Sequence, residues 1–218
     1  LPNSGIRHVT ARHEQGAGFM ADGYARVTGK VGVAFVITGP GLTNTLTAMA
    51  QARADSVPIL VISGVNRRAS LGLGMGLLHE LPDQQAMIRA LCPSFQLTSA
   101  EKLEGILEQA FTALTTGRPG PVHIEIPTDV MRLPCSEPSA TQKLLIAPSA
   151  RLSDVAQAQA LLNGAQNVVI LAGGGAKRAE QALRTLAQRL DAPVIQTTNA
   201  RGLMAQSALS VPASPSMA

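Results

Sequence analysis

Aromatic residues are scarce in this sequence, which holds no Trp, one Tyr and four Phe among 218 residues. A core must therefore be built from Val, Ile, Leu, Ala and Met, a composition typical of parallel sheets covered by helices. Long apolar runs are also missing, and none approaches the length of a membrane span. We therefore expect neither a membrane partner nor a signal peptide.

Charge of one sign is not concentrated anywhere along the chain. The 18 Lys and Arg residues are scattered among 14 Asp and Glu, which gives a net charge of +4 and no polybasic segment. A nucleic-acid surface is not expected from this pattern.

Cys92 and Cys135 form no metal-type pair and indicate free thiols in a reducing compartment, so we predict a cytoplasmic protein. His13 and His79 lack metal-ligand spacing, and no metal site is predicted from them.

Strands and helices alternate along the first two thirds of the chain, which predicts an α/β fold with a doubly wound parallel sheet. Apolar runs predict strands at 6–10, 31–39, 57–64, 94–98 and 121–127. Helical periodicity predicts helices at 12–27, 43–54, 83–91 and 100–116. The Gly- and Leu-rich residues 65–82 have no steady period and predict a long loop.

A run rich in Pro, Ser and Ala then predicts an interdomain linker, followed by a second, Rossmann-like unit. Its predicted helices and strands are 153–163, 167–175, 177–190 and 192–198. The tail 207–218 is too short and too polar to complete a sheet, so we expect this unit to stop unfinished. The predicted domains are thus 1–133, a linker 134–152, and a partial domain 153–218. Since the chain opens on Leu-Pro without Met, we expect it to be a piece of a longer protein.

Two glycine-rich segments follow predicted strands. Thr38-Gly39-Pro40-Gly41 lies at the carboxyl end of a strand, where open α/β sheets bind ligands, and Asn44 follows in the next helix. A tight turn with a helix cap is the alternative interpretation. Gly173-Gly174-Gly175 also opens a helix, but Arg178 stands where a dinucleotide fingerprint has its third glycine. A plain turn there remains the alternative to a bound pyrophosphate.

The segment RHEQGAGFMADGYAR places Glu14 in the first turn of a helix. Its small residues form a close-packed face made of Ala17, Gly18, Ala21 and Ala25. An acid at a helix start is explained by the helix dipole alone. The segment is followed, however, by TGPGLTN, ADSVPILVISG and GRPGPVHIEIPTDV in that order.

Together these four motifs resemble the amino-terminal pyrimidine-binding domain of thiamine diphosphate enzymes, in particular the large subunit of acetolactate synthase. The resemblance covers residues 5–133, and residues 153–204 look like the start of the family's central domain. It implies that Glu14 meets N1′ of the cofactor's aminopyrimidine ring, and that Gly39, Pro40 and Asn44 belong to the cofactor site. Burial among small residues predicts a raised pKa for the Glu14 carboxyl.

The resemblance also implies parts that this sequence does not contain. Family members bind the diphosphate and its Mg²⁺ through a carboxyl-terminal domain with a Gly-Asp-Gly motif, which does not occur here. Some acetolactate synthases carry FAD, with an arginine matching Arg118 among its contacts. The family places its active site between subunits, which implies a homodimer or homotetramer with the small-residue face of the first helix close to the contact.

The segment His79-Glu80-Leu81-Pro82-Asp83 departs from acetolactate synthases, which show Phe-Gln before Glu-x-Asp. It resembles the corresponding segment of 5-guanidino-2-oxopentanoate decarboxylases. A carboxylate at Glu80, with His79 beside it, would suit a small-molecule substrate with a cationic tail, although a solvated loop is the alternative. We therefore predict decarboxylation of such a 2-oxo acid. The alternatives are acetolactate synthase-type carboligation of pyruvate and a non-catalytic module of the same fold.

Overall fold

The protein is described by a computed structural model that covers residues 5–137 and 149–212. Packing divides the chain into two compact units, Leu1–Ala147 and Pro148–Ala218. Both units consist of helices and parallel strands, so the predicted α/β fold class is confirmed. The predicted linker, 134–152, lies for the most part outside the described residues. Among the described residues, no helix has both the length and the apolar character that crossing a membrane requires.

The described residues of the first unit form four helices and four strands. Its helices are α1 (Glu14–Thr28), α2 (Pro40–Asp55), α3 (Gln84–Arg89) and α4 (Leu103–Thr115). Its strands are β1 (Gly32–Val36), β2 (Ile59–Val65), β3 (Ser94–Gln96) and β4 (Pro121–Pro127). Short 3₁₀ turns occur at Arg68–Ser70 and Ala100–Lys102. The strands form one parallel sheet in the order β1-β2-β4-β3.

Helices cover both faces of this sheet. On one face Ile59 and Val61 of β2 pack with Leu42 and Met49 of α2. On the other face Leu60 of β2 packs with the buried side of α4. Successive residues of a strand point to opposite faces, so a strand covered on both sides is apolar at most of its positions. This explains the apolar residues 59–62 with which β2 begins.

The small residues of α1 form its contact with α2. Gly18, Ala21 and Ala25 are buried, and a Cβ added to Gly18 would lie 2.7 Å from the Cβ of Ala48. Such a distance leaves no room for a side chain, so the two helix backbones approach closely there. The face that we predicted to lie close to a subunit contact is therefore packed inside its own unit.

The predicted strand at 6–10 is wrong. The described residues 5–11 have no regular secondary structure and pair with no described strand. Ile6 and Val9, whose side chains suggested the strand, are 61% and 70% exposed. Apolar side chains without a covering layer gain nothing from strand formation, so the local pattern does not decide the structure here.

The second unit is a smaller arrangement of the same kind. Its elements are α5 (Leu152–Gly164), β5 (Ile170–Ala172), α6 (Glu180–Leu190), β6 (Val194–Gln196) and β7 (Ser210–Val211). In the described part of the tail, the two-residue strand β7 pairs in parallel with β6. The amide of Val194 donates to the carbonyl oxygen of Leu209 at 2.8 Å. A strand edge is satisfied by backbone groups, so polar side chains did not prevent pairing.

Candidate active site

The turn between β1 and α2 is shaped by glycine. Gly39 has φ +60°, and a Cβ on it would lie 2.4 Å from the carbonyl oxygen of His79. Both the left-handed backbone and the close approach therefore require glycine at this position. Pro40 occupies the first turn of α2. A backbone N–H there would have no partner within the helix, so proline costs no hydrogen bond. The turn thus presents backbone, not side chains, at the amino end of α2.

Glu14 is the first residue of α1 and meets the amino-terminal part of α2. The Nδ2 of Asn44 donates to its Oε2 at 3.0 Å. A Cβ on Gly41 would lie 3.6 Å from the other carboxylate oxygen, Oε1. His13 caps α1, its ring nitrogen Nδ1 accepting from the amide of Gln15. The structure therefore brings together Glu14, Asn44 and the glycine turn, three of the features predicted to surround the cofactor.

The prediction of a raised pKa for Glu14 is wrong in this structure. The hydrogen bond from Asn44 is the largest cause that lowers the pKa of the Glu14 carboxyl below its ordinary 4.5, and the charges of His13 and His79 act in the same direction. Burial opposes them only in part, because the side chain is half-buried. A donor aimed at a carboxylate stabilises its ionised form, and here that effect exceeds desolvation.

His79 lies against the same turn. It has φ +56°, an uncommon conformation for a residue with a side chain, and its carbonyl oxygen faces Gly39. Its ring nitrogen Nδ1 is buried without a hydrogen-bond partner among the described residues. The loop before α3 therefore places a histidine beside the glycine turn, and its charge acts on Glu14.

Glu80 is held by its own loop. Its Oε1 accepts from the amide of Met75 at 3.1 Å and its Oε2 from the amide of Leu77 at 2.8 Å. These backbone donors, that of Leu77 first, lower the pKa of the Glu80 carboxyl. Both carboxylate oxygens thus serve to fold the loop, and a substrate contact of Glu80 stays a prediction.

Arg118 contacts the carboxyl end of α2. Its Nε donates to Ser56 Oγ at 2.7 Å and its guanidinium also donates to the carbonyl oxygen of Ala54 at 3.0 Å. Helix ends leave carbonyl groups without partners, and a nearby arginine satisfies them. This contact accounts for the residue without a ligand, and its role toward FAD stays a prediction.

The glycine turn of the second unit packs closely against the turn that follows β6. Residues Gly174–Ala179 form a 3₁₀ turn after β5, and a Cβ on Gly174 would lie 3.2 Å from the Cβ of Asn199. Glycine is needed there for packing against the turn that follows β6. The simpler of the two interpretations, a tight turn, is sufficient to explain these residues.

Sequence reasoning missed a buried polar residue, Gln84, that joins three strand ends. Its Oε1 accepts from Thr38 Oγ1 at 3.0 Å and from the Gly39 amide at 2.8 Å. Its Nε2 lies 3.2 Å from Ser63 Oγ and 3.1 Å from Glu125 Oε2, and can donate to both. Gln84 thereby fixes the turn that starts α2, on which Asn44 and its contact with Glu14 depend.

Glu125 and His123 lie inside β4 and were also missed. Glu125 is 1% exposed, and Gln96 Nε2 donates to its Oε1 at 2.7 Å. Burial raises the pKa of the Glu125 carboxyl and lowers the pKa of His123 to about 3. The imidazole is therefore neutral, and it lies 2.8 Å from the hydroxyl oxygens of both Ser63 and Ser94. A signal was present, since PVHIEIP places two polar residues at alternate positions of an apolar strand.

Comparisons with known proteins identify both units. A family model described as "Thiamine pyrophosphate enzyme, N-terminal TPP binding domain" matches residues 1–87, and one described as "Thiamine pyrophosphate enzyme, central domain" matches residues 155–211. A probable 2-ketoarginine decarboxylase of Pseudomonas aeruginosa is 50% identical over 207 residues, which are 94% of this chain and 37% of that protein.

Acetolactate synthase large subunits are similar over the same range. Isozyme 1 of Escherichia coli is 37% identical over 91% of this chain and 35% of its own length. The large subunit of Corynebacterium glutamicum is 38% identical over 93% of this chain and 33% of its own length. The chain thus spans little more than a third of the length of the curated relatives that it matches.

Proposed function

The chain belongs to the thiamine pyrophosphate enzymes, and from that premise we propose that the complete protein decarboxylates a 2-oxo acid with thiamine diphosphate as its cofactor. One observation carries the proposal: Glu14 stands at the start of α1 with an amide donor, Asn44, on one carboxylate oxygen. The family's activating glutamate matches this residue. A non-catalytic module would have no need of a carboxylate held in this way.

The residues around Glu14 support a contact with the cofactor's pyrimidine ring. Gly41 presents its backbone beside the carboxylate, since a Cβ on it would lie 3.6 Å from Oε1. Glu14 would bond N1′ of the ring through this oxygen, while Asn44 holds the other. The bound cofactor supplies the nucleophilic carbon and accepts the electrons released by decarboxylation. Mg²⁺ and the diphosphate are assigned to a further domain of the complete protein.

The proposed substrate is a 2-oxo acid with a cationic tail, such as 5-guanidino-2-oxopentanoate. The support is the 50% identity to a probable 2-ketoarginine decarboxylase, against 37–38% for the acetolactate synthases. Acetolactate synthase-type carboligation of pyruvate is the second candidate, and it is supported by those latter similarities. The two reactions differ in their product, so one assay separates them.

The test is turnover by the complete protein supplied with thiamine diphosphate and Mg²⁺. We expect CO₂ release from 5-guanidino-2-oxopentanoate to be faster than from pyruvate, with no acetolactate formed. Glu14→Gln should lower kcat by about 10²–10⁴-fold, the range for loss of a positioned proton-transfer group. Acetolactate as the main product would favour the second candidate. Unchanged turnover in the Glu14→Gln variant would exclude Glu14 from the reaction.

We also propose a cytoplasmic homodimer or homotetramer, as the family resemblance implies. With the small-residue face of α1 buried, the candidate contact is the opposite side of the helix, where Phe19, Met20 and Tyr24 are each at least 41% exposed. Sedimentation of the complete protein gives its mass in solution, and an active monomer would contradict the proposal. FAD binding stays a prediction, and the visible absorbance of the purified protein tests it.

A further inference from the structure

A cleft of about 280 Å³ opens at the carboxyl end of the first sheet, between the ends of β2 and β4 and the loop that leads to α3. Among its described lining residues three are carboxylates and none is Lys, Arg or His. The carboxylates are Glu80, Asp83 and Glu125. Its size is near the lower end of the range for small-molecule sites.

Two of these carboxylates are used by the fold. Glu80 accepts from two amides of its own loop, as described above. Asp83 caps α3, its Oδ1 accepting from the amide of Ala86 at 2.8 Å. A helix cap and a loop closure account for both side chains. Their contribution to the cleft is therefore a general negative potential.

Glu125 differs from them because neither of its partners is a backbone group or a cation. Its oxygens each accept one amide hydrogen bond, from Gln96 and from Gln84. A carboxylate offers about four acceptor positions, so two amides leave about half of them available. Among the described residues no ion pair includes Glu125, and Arg89, whose charge acts on it, lies beyond ion-pair distance.

We infer that Glu125 is the residue that binds the positively charged end of the substrate, a guanidinium or a similar planar cation, within this cleft. The inference rests on the proposed function and names the group that would recognise its substrate. A buried carboxylate is costly without a compensating charge, and a guanidinium supplies charge and paired N–H donors together. Gln84 and Gln96, which line the same cleft, hold the carboxylate in place.

The cleft is connected to the Glu14 site through Gln84. One end of this side chain lines the cleft and contacts Glu125, while its Oε1 holds the amide of Gly39. The same turn begins α2 and leads to Asn44, which bonds Glu14. Open α/β sheets bind their ligands at the carboxyl ends of the strands, where both sites lie. One substrate that reacts at a cofactor held by Glu14 and places its cation at Glu125 fits this order of contacts.

The experiment compares kcat/KM of the complete, cofactor-loaded protein for 5-guanidino-2-oxopentanoate and for 2-oxohexanoate, which has an uncharged tail. Glu125→Gln should lower the preference for the cationic acid by about 10- to 100-fold, the usual worth of a hydrogen bond to a charged group. The readout is the ratio of the two kcat/KM values, so a general loss of activity in the variant cancels. Glu104→Gln, on the exposed side of α4, removes one negative charge outside the cleft and should preserve the preference.

A binding measurement separates this inference from the proposed function. Calorimetry with 4-guanidinobutanoate, which cannot be decarboxylated, should show binding that Glu125→Gln weakens by a similar factor, whereas hexanoate should bind alike to both proteins. If the parent decarboxylates only neutral acids, the proposed substrate is wrong, and Glu125-dependent binding of the guanidino acid would still support the site. No dependence of binding or preference on Glu125 would overturn the inference, whatever the substrate.

If the Glu125→Gln protein does not fold, a conservative variant still tests the inference. Glu125→Asp keeps the charge but withdraws it by one methylene, and should retain part of the preference for the cationic acid. The expected order of preference is parent, then Asp, then Gln. An Asp variant with the full preference of the parent would show that the carboxylate position does not matter, and would also overturn the inference.

Discussion

Glu14 and Glu125 are the same residue type in two opposite surroundings of one domain. Glu14 is half-buried at a helix start, and the hydrogen bond from Asn44 is the largest of several causes that lower the pKa of its carboxyl. Glu125 is 1% exposed inside β4, and its pKa is raised although two amides bond it. The number of hydrogen bonds therefore does not decide the direction. Desolvation decides it, because water contributes to the ionised form of Glu14 and not to that of Glu125.

The contrast assigns different tasks to the two carboxylates. An accessible carboxylate with one bonded oxygen is ready to accept a hydrogen bond from a ring nitrogen that carries a proton. A buried carboxylate held by uncharged amides is stabilised most by a cation. Changes to the packing behind Glu14, to the buried Glu125 and to the hydrogen bond on Glu14 should therefore affect stability and its pH dependence in different ways.

The largest effect is expected from the packing behind Glu14. Gly18→Ala places a methyl group 2.7 Å from the Cβ of Ala48, and should separate α1 from α2. We expect a loss of about 1–3 kcal/mol in the free energy of unfolding, measured by urea denaturation, because this contact cannot absorb another carbon. The same shift should lengthen the hydrogen bond from Asn44 to Glu14 and lower turnover.

Gly23→Ala is the matched control on the same helix. A Cβ there meets no atom within 4 Å, so alanine should leave stability equal or raise it by up to about 1 kcal/mol through its higher helix propensity. Equal stability of the two alanine variants would mean that α1 and α2 do not pack as closely as described.

The next effect concerns the burial of Glu125. Its folded pKa is raised above the unfolded value of 4.5, so the protonated form is favoured and the parent should lose stability as pH rises through the folded pKa. Glu125→Gln removes this titration. The unfolding free energy of the variant minus that of the parent should therefore increase from pH 5 to pH 8. Glu104→Gln controls for the loss of one negative charge, and a pH-independent difference for Glu125→Gln would argue against a buried, titrating carboxylate.

Sequence reasoning succeeded where the signal is local. The strand 121–127 is predicted with the bounds that the structure shows, and the motif around Glu14 predicts the helix that begins at this residue. The polar network was missed because its members are distant in sequence: Gln84 and Glu125 are 41 residues apart. Periodicity predicts which face of a strand is buried, but not which buried partners meet there. The same limit explains why residues 6–10 were predicted as a strand without a sheet to join.

The smallest effect is expected from the hydrogen bond on Glu14 itself. Asn44→Ala removes the donor that contributes most to lowering the pKa of the Glu14 carboxyl, so this pKa should rise toward 4.5. Because the folded pKa lies below the unfolded one, ionised Glu14 adds stability above pH 4.5 and loses it as pH falls through the folded value. The variant should thus be less stable than the parent near pH 7, by about 0.5 kcal/mol, the low end for a hydrogen bond that water can replace. The difference in stability between the parent and the variant should shrink as the pH falls below 4.5.

Thr43→Ala is the control. It removes a hydroxyl bonded to the Pro40 carbonyl on the same turn of α2, and should show no such pH dependence. A loss for Asn44→Ala that stays constant across this range would mean that the amide supports the helix and not the charge of Glu14.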